Sequence, residues 1–279
     1  MPYDATAAGP AAAVSRASGA TRLGRLAQTP AGRAARDRLA ARGLLWPLVA
    51  ARQAPIRSGP PSSVAERLLA AIGLTGSVRE RLAGPGSDVC IEGFPRSANS
   101  YTVVAFRRWN RDARVAHHMH AAFQVRRAVR LGVPCCVLVR SPLDAVASTL
   151  VMDRERVSDD ACYLSYIRFH RRVAPVREQL VVCRFEQVVK DPSIVVDRLN
   201  GRFGTSFATE PVTREAEDAM LASIRRRRPE RSGLPEFLAA VPSEAKEARK
   251  EELRARLAGN PLLPEAQAAY DEMAGDGRP

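Results

Sequence analysis

Apolar residues along the chain come in short runs separated by longer, mixed stretches. Residues 89–93 (VCIEG) and 135–139 (CCVLV) are bounded by Gly, Pro or charge and have the length of buried strands. Weaker runs at 113–117 and 180–184 predict two more. The segments between them read as helices: 98–110, where Val103, Val104 and Phe106 form one apolar face, then 121–131, 142–152 and a long one over about 158–178. Strands that alternate with helices predict an α/β domain whose central parallel sheet is flanked by helices. From about residue 209 no strand is expected and the C-terminal third reads as helical. There, residues 243–259 (SEAKEARKEELRARLAG) carry opposite charges at helical spacing and end on Gly.

Residues 1–60 are rich in Ala, Gly, Pro and Ser with scattered Arg, which predicts a flexible basic region holding one weak helix over 33–52. The domain is expected over 61–279 and opens with a short helix, 63–74, capped by Ser63. No apolar run reaches the ~18 residues of a membrane span. Neither is there the compact apolar segment of a secretory signal, so a cytoplasmic protein is expected. The five cysteines are an odd number, four of them within predicted strands, and read as small core residues in a reducing compartment. Cys135 and Cys136 are neighbours on one strand and face opposite ways.

The formal charge of +13 over 279 residues comes almost wholly from Arg and is spread along the chain. Aromatic residues make up 5%, too sparse for a base-stacking platform, and no nucleic-acid motif is present. A multiply charged nucleotide or a polyanionic substrate accounts for the same excess. The RRRR run at 225–228 reads as the solvated end of a helix.

Ligands of parallel α/β sheets collect beyond the carboxyl ends of the strands, and three short stretches fall there. After the first strand comes GFPRSANSY (93–101), which hands over to a helix N-terminus. Unpaired backbone N–H groups and a positive dipole end meet Arg96, Ser97, Asn99 and Ser100, a set of donors suited to phosphate or sulfate. After the second comes HHMH (117–120), with three of the four histidines. After the third comes VRSPLDAVAS (139–148), with Arg140 at the strand end and Ser148 two helical turns on. Two anion sites on neighbouring strand tips fit one nucleotide phosphorylated at two places.

GFPRSANSY resembles the 5′-phosphosulfate loop, GxPKSGTTW, of the sulfotransferases that use 3′-phosphoadenosine 5′-phosphosulfate (PAPS). VRSPLDAVAS resembles that family's 3′-phosphate motif, and VVCRFEQVVKDP (181–192) is similar to its later RYEDLxxDP turn. The resemblance covers about residues 88–205. It implies a three-layer P-loop-like fold, PAPS as donor, no metal, and a hydroxyl-bearing small molecule or glycan as acceptor. It further implies that Arg96 replaces the loop lysine, that Ser97, Ala98, Asn99 and Ser100 line the 5′-phosphate, and that Tyr101 stands near the adenine. Arg140 and Ser148 would hold the 3′-phosphate, with Phe185 near the base. His118 aligns with the catalytic base, and His120 competes with it. Ala98 replaces a family Gly, Asn99 replaces a hydroxyl, and the family's C-terminal Arg-Lys-Gly element has no counterpart. Two other readings use the same strand-to-helix loop. One is a P-loop kinase or NTPase, whose G-x-x-x-x-G-K-[ST] motif is absent. The other is a non-catalytic nucleotide- or polyanion-binding protein.

Overall fold

The computed structural model describes residues 29–46, 48, 81–226 and 244–275. The predicted helix 63–74, most of the predicted N-terminal tail and half of the RRRR run lie outside the described residues. Helix α1 spans Pro30–Ala41, starting earlier than predicted because Thr29 caps it and Pro30 is preset for a first turn. Then follow β1 (Val89–Gly93), α2 (Asn99–Trp109), β2 (Val115–His117), α3 (Ala122–Arg130), β3 (Cys135–Val139), α4 (Pro142–Asp153) and α5 (Asp159–Val173). Where one long helix is predicted over 158–178, the chain tightens into a 3-10 turn at Ala174–Gln179, for Pro175 has no N–H to continue an α-helix. The remaining elements are β4 (Val181–Arg184), α6 (Phe185–Lys190), α7 (Ser193–Phe203), α8 (Arg214–Arg226), α9 (Glu244–Leu257) and α10 (Leu263–Ala274).

The four strands form one parallel sheet in the order β2-β1-β3-β4. Alternation along each strand sends side chains to opposite faces. Cys90, Cys135, Val137 and Val139 join a core with α1, α3, α4, α5, α9 and α10. Val89, Ile91, Cys136, Leu138, Val181 and Cys183 join a second core with α2, α6 and α7. Helices therefore cover both faces, and β1 and β3 are buried along their whole length. All five cysteines are buried thiols, Cys135 and Cys136 in different cores. Burial of a Leu or Ile side chain in such a core contributes roughly 1.5–3 kcal/mol, so Leu138 or Ile91 cut to Ala costs about 2–5 kcal/mol.

The segment after α1 is part of the first core, where Leu45 and Trp46 are buried, and Arg36 pairs with the buried Asp153 at the end of α4. Among the described residues no helix is long and apolar enough to cross a membrane.

The strand order decides where a site can be. From β1 the chain passes through α2 to β2 on one side, whereas from β3 it passes through α4 and α5 to β4 on the other. The carboxyl ends of β1 and β3 therefore flank the point where the winding reverses, with α2 and α4 on opposite faces, which in parallel α/β sheets is the place of the ligand crevice.

Candidate functional site

Residues 94–98 leave β1 at this crevice and residues 140–141 leave β3 beside them. The two strands approach closely at their tips. A Cβ on Gly93 would stand 2.5 Å from the Leu138 carbonyl oxygen and 3.0 Å from Asn99 Oδ1, so only glycine fits there. Asn99, the first residue of α2, ties the loop down by donating from Nδ2 to the Phe94 carbonyl at 2.9 Å. Arg96 and Ala98 take left-handed conformations, φ 70° and 66°. Ala98 caps α2 by its backbone geometry alone, without a side-chain bond. The first turn of α2 also carries no acidic residue, so its positive end is uncompensated from within the helix.

Three contacts join the two predicted motifs. Arg96 Nε donates to Ser148 Oγ at 3.0 Å, Arg140 Nη1 donates to the Arg96 carbonyl at 3.0 Å, and Thr149 Oγ1 donates to the Pro95 carbonyl at 3.4 Å. Arg96, Arg140 and Ser148, spread over 53 positions of sequence, are thus one cluster. Among the described residues, three buried polar atoms without a hydrogen-bond partner lie here: Ser97 Oγ, Asn99 Oδ1 and Arg140 Nε. Unpaired buried polar atoms are uncommon in folded proteins, and these three can still accept or donate to a further partner. The Arg140 guanidinium also lies 3.9 Å over the ring of Phe185, at the start of α6, a cation–π contact that fixes its plane.

The turn after β2 closes the crevice on its other side. Glu92, wholly buried at the end of β1, accepts N–H groups from Met119 at 2.7 Å and His120 at 3.0 Å. Burial pushes its carboxyl up to about 8, although these backbone donors work against the rise. His118 and His120 have φ of 58° and 51°, so four of the six non-glycine left-handed residues among the described residues sit on these two loops. His120 Nδ1 donates to the Gly93 carbonyl at 2.9 Å, which sets the neutral tautomer and leaves Nε2 as an acceptor. Burial lowers its pKa to about 4, and the cations Arg81 and Arg96 push the same way. His118 is engaged differently, with Nε2 2.9 Å from Ser100 Oγ and Nδ1 against His117.

The structure therefore gathers Arg96, Ser97, Ala98, Asn99, Ser100, His118, His120, Arg140, Ser148 and Phe185 at one crevice. The half-buried ring of Tyr101 packs against the second core and against Met220 and Ile224 of α8, and burial together with the charges of Glu217 and Asp191 raises its hydroxyl pKa.

Three positioning residues escape the sequence reading. Glu92 is the one charge in an otherwise apolar strand, and a buried charge demands partners, which is the signal that could have found it. Tyr166 on α5 donates to the Arg140 carbonyl at 2.6 Å while its ring packs edge-on to Phe94, 5.0 Å between centroids. Lys250 on α9 is buried and paired with Glu247. Burial pulls its ammonium below the ordinary lysine value, and the like charges of Arg140 and Arg96 pull further, so a third cation lies in range of the crevice. In sequence it is one more member of a salt-bridged helix. The whole arrangement can hold two anionic groups a short distance apart and offers a neutral imidazole beside one of them. No protein-family model matches the chain, and no curated protein matches it in sequence.

Proposed function

We propose that the protein is a sulfotransferase of P-loop-like fold that moves the sulfuryl group of PAPS to an acceptor hydroxyl. The observation that carries this reading is the joining of Arg96, Ser148 and Arg140 across the strand-order reversal, so that a site for one anion abuts a site for a second. A nucleotide bearing phosphates at both its 5′ and 3′ positions has that charge pattern. The orphaned Ser97 Oγ and Arg140 Nε are hydrogen-bond donors, which fits phosphate oxygens.

In this reading Arg96, the Ser97–Ser100 loop and the N-terminus of α2 receive the 5′-phosphosulfate. Arg140 and Ser148 receive the 3′-phosphate, with Lys250 adding charge from α9. Phe185 offers an apolar face to the base. The proton acceptor is His120, because its tautomer is held by Gly93 with Nε2 bare, whereas His118 is spent on Ser100. His120 takes the proton from the acceptor hydroxyl as that oxygen bonds to sulfur and the bond from sulfur to the 5′-phosphate oxygen breaks. Arg96 and the loop N–H groups stabilise the charge left on the phosphate.

The test is a thermal shift followed by a transfer assay. Adenosine 3′,5′-bisphosphate at a hundredfold excess over its Kd should stabilise the fold by about 2.7 kcal/mol without Mg²⁺. Labelled sulfate should then pass from PAPS to a hydroxyl compound. Stabilisation by Mg-ATP alone would assign the crevice to phosphoryl transfer instead.

A further inference from the structure

Five of the six large apolar residues that stand exposed among the described residues share one side of the sheet, that of the first core: Leu44 and Leu48 after α1, Phe123 and Leu131 at the two ends of α3, and Leu164 on α5. The sixth, Val189, is on α6 against the second core. The three elements adjoin. Gly43, Ala122, Ser165 and Arg168 border one shallow seam, and a Cβ on Gly43 would stand 3.7 Å from Arg168 Cδ. Leu48 N–H donates to the Leu44 carbonyl at 3.3 Å, so the two leucines stand one turn apart over the buried Leu45 and Trp46. On α3 the exposed positions are Phe123, Arg126, Arg127 and Arg130, with Leu131 closing the helix, a stripe at i, i+3, i+4, i+7 and i+8. The opposite side of α3, Ala122, Val125 and Ala128, is buried. The helix has no acidic residue. Arg126, Arg130, Arg168 and Arg172 have no carboxylate within ion-pair distance among the described residues, whereas Arg249, Arg254 and Arg256 of α9 are all paired.

We propose that this face seats the protein on a bilayer surface that carries anionic lipid. The arginines attract lipid phosphates, and their long stems let the guanidinium groups stay among the headgroups while the apolar side chains between them enter the acyl boundary. The exposed leucines decide between a membrane and a dissolved polyanion. Four of the five apolar residues are Leu, which offer no ring for a base to stack on and no charge for a glycan, but gain free energy wherever they leave water. The contact is peripheral, with the face lying on the bilayer. It depends on neither the nucleotide nor sulfuryl transfer.

The experiment floats the full chain with vesicles of phosphatidylcholine alone and of phosphatidylcholine mixed with phosphatidylglycerol. The protein should bind the anionic vesicles about tenfold or more tightly than the neutral ones, and less tightly as salt is raised. Arg126→Gln with Arg130→Gln should cut that affinity by about tenfold or more, and Leu48→Ser with Phe123→Ser by a similar factor, each with the melting temperature unchanged. Arg108→Gln with Arg111→Gln, exposed at the end of α2 on the side of the second core, should bind like the unaltered protein. Equal binding to both kinds of vesicle, no binding to either, or equal losses from the two arginine pairs overturns the proposal. So does full affinity in the Leu48 and Phe123 variant, since attraction without insertion would assign the face to a dissolved polyanion. Heparin bound through Arg126 and Arg130 while vesicles stay unbound would do the same.

Discussion

Arg96 Nε donates to Ser148 Oγ across 3.0 Å, so the cation of the first strand's loop is held by the hydroxyl that begins the third turn of α4. In the proposed transferase one guanidinium would therefore answer to both anion sites, and a phosphate that took the Ser148 hydroxyl would free Arg96 Nε for the other, coupling occupancy of the two. Arg96→Ala should lower the rate of transfer by about 10²–10³, the usual loss when a charge-stabilising donor is removed, and weaken bisphosphate binding far less. Ser148→Ala should show non-additivity with it of about 0.5–3 kcal/mol in a double-mutant cycle on kcat/KM, as residues in contact do. Additive effects would mean that the contact has no part in the reaction.

The two histidines should separate by pH profile as well as by rate. His120→Ala should lower kcat by about 10²–10⁴, the range for losing a general base. With its pKa lowered to about 4, His120 is neutral throughout the physiological range, so the wild-type profile should have no acid limb near 6.5 from this residue. His118→Ala should act through the loop, raising KM for the donor, because its ring contacts Ser100. A profile in which only the His118 variant loses kcat would transfer the role of base to it.

Glu92 gives the fold a dependence on pH opposite in sign to that of the buried histidines. Its carboxyl is raised from 4.5 to about 8, so the native state keeps a proton that the unfolded chain has released. That contribution is fully present below about 4.5 and is lost as pH rises through about 8. His120 and His170, both lowered to about 4 by burial, contribute stability above 6.5 that is lost as pH falls through 4. Between pH 6.5 and 8 the histidines are level and Glu92 acts alone. Stability in denaturant should fall there by up to about 1.4 kcal/mol per pH unit, and Glu92→Gln should flatten the slope while lowering the absolute value. An unchanged slope in the variant would remove Glu92 as its source.

Much of this was legible in the chain because each strand-to-helix handover is local. Gly93-Phe94-Pro95 and Arg140-Ser141-Pro142 announce their turns within a few residues, and the apolar runs before them can only be buried strands. Helix α9 was equally plain from its charge spacing, with Lys250 bound to Glu247 and Arg254 to Glu251 three positions apart. What could not be read depends on distance in sequence. Glu92 reaches Met119 across 27 positions and Tyr166 reaches the Arg140 carbonyl across 26, contacts that no local period encodes. The packing of Tyr101 against α8, a helix over 100 residues later, is likewise outside any local motif. The burial of α1 against α5 was hidden by composition, since its Ala and Arg residues match the tail before it.

The account stands on one nucleotide spanning both clusters, and calorimetry against two ligands tests that most directly. Adenosine 3′,5′-bisphosphate should bind about a hundredfold more tightly than adenosine 5′-monophosphate, the value of the charge-assisted bonds that Arg140 adds. Arg140→Ala should bring the two affinities together while leaving the monophosphate's own nearly unchanged. Equal binding of the two nucleotides by the wild-type protein would contradict it.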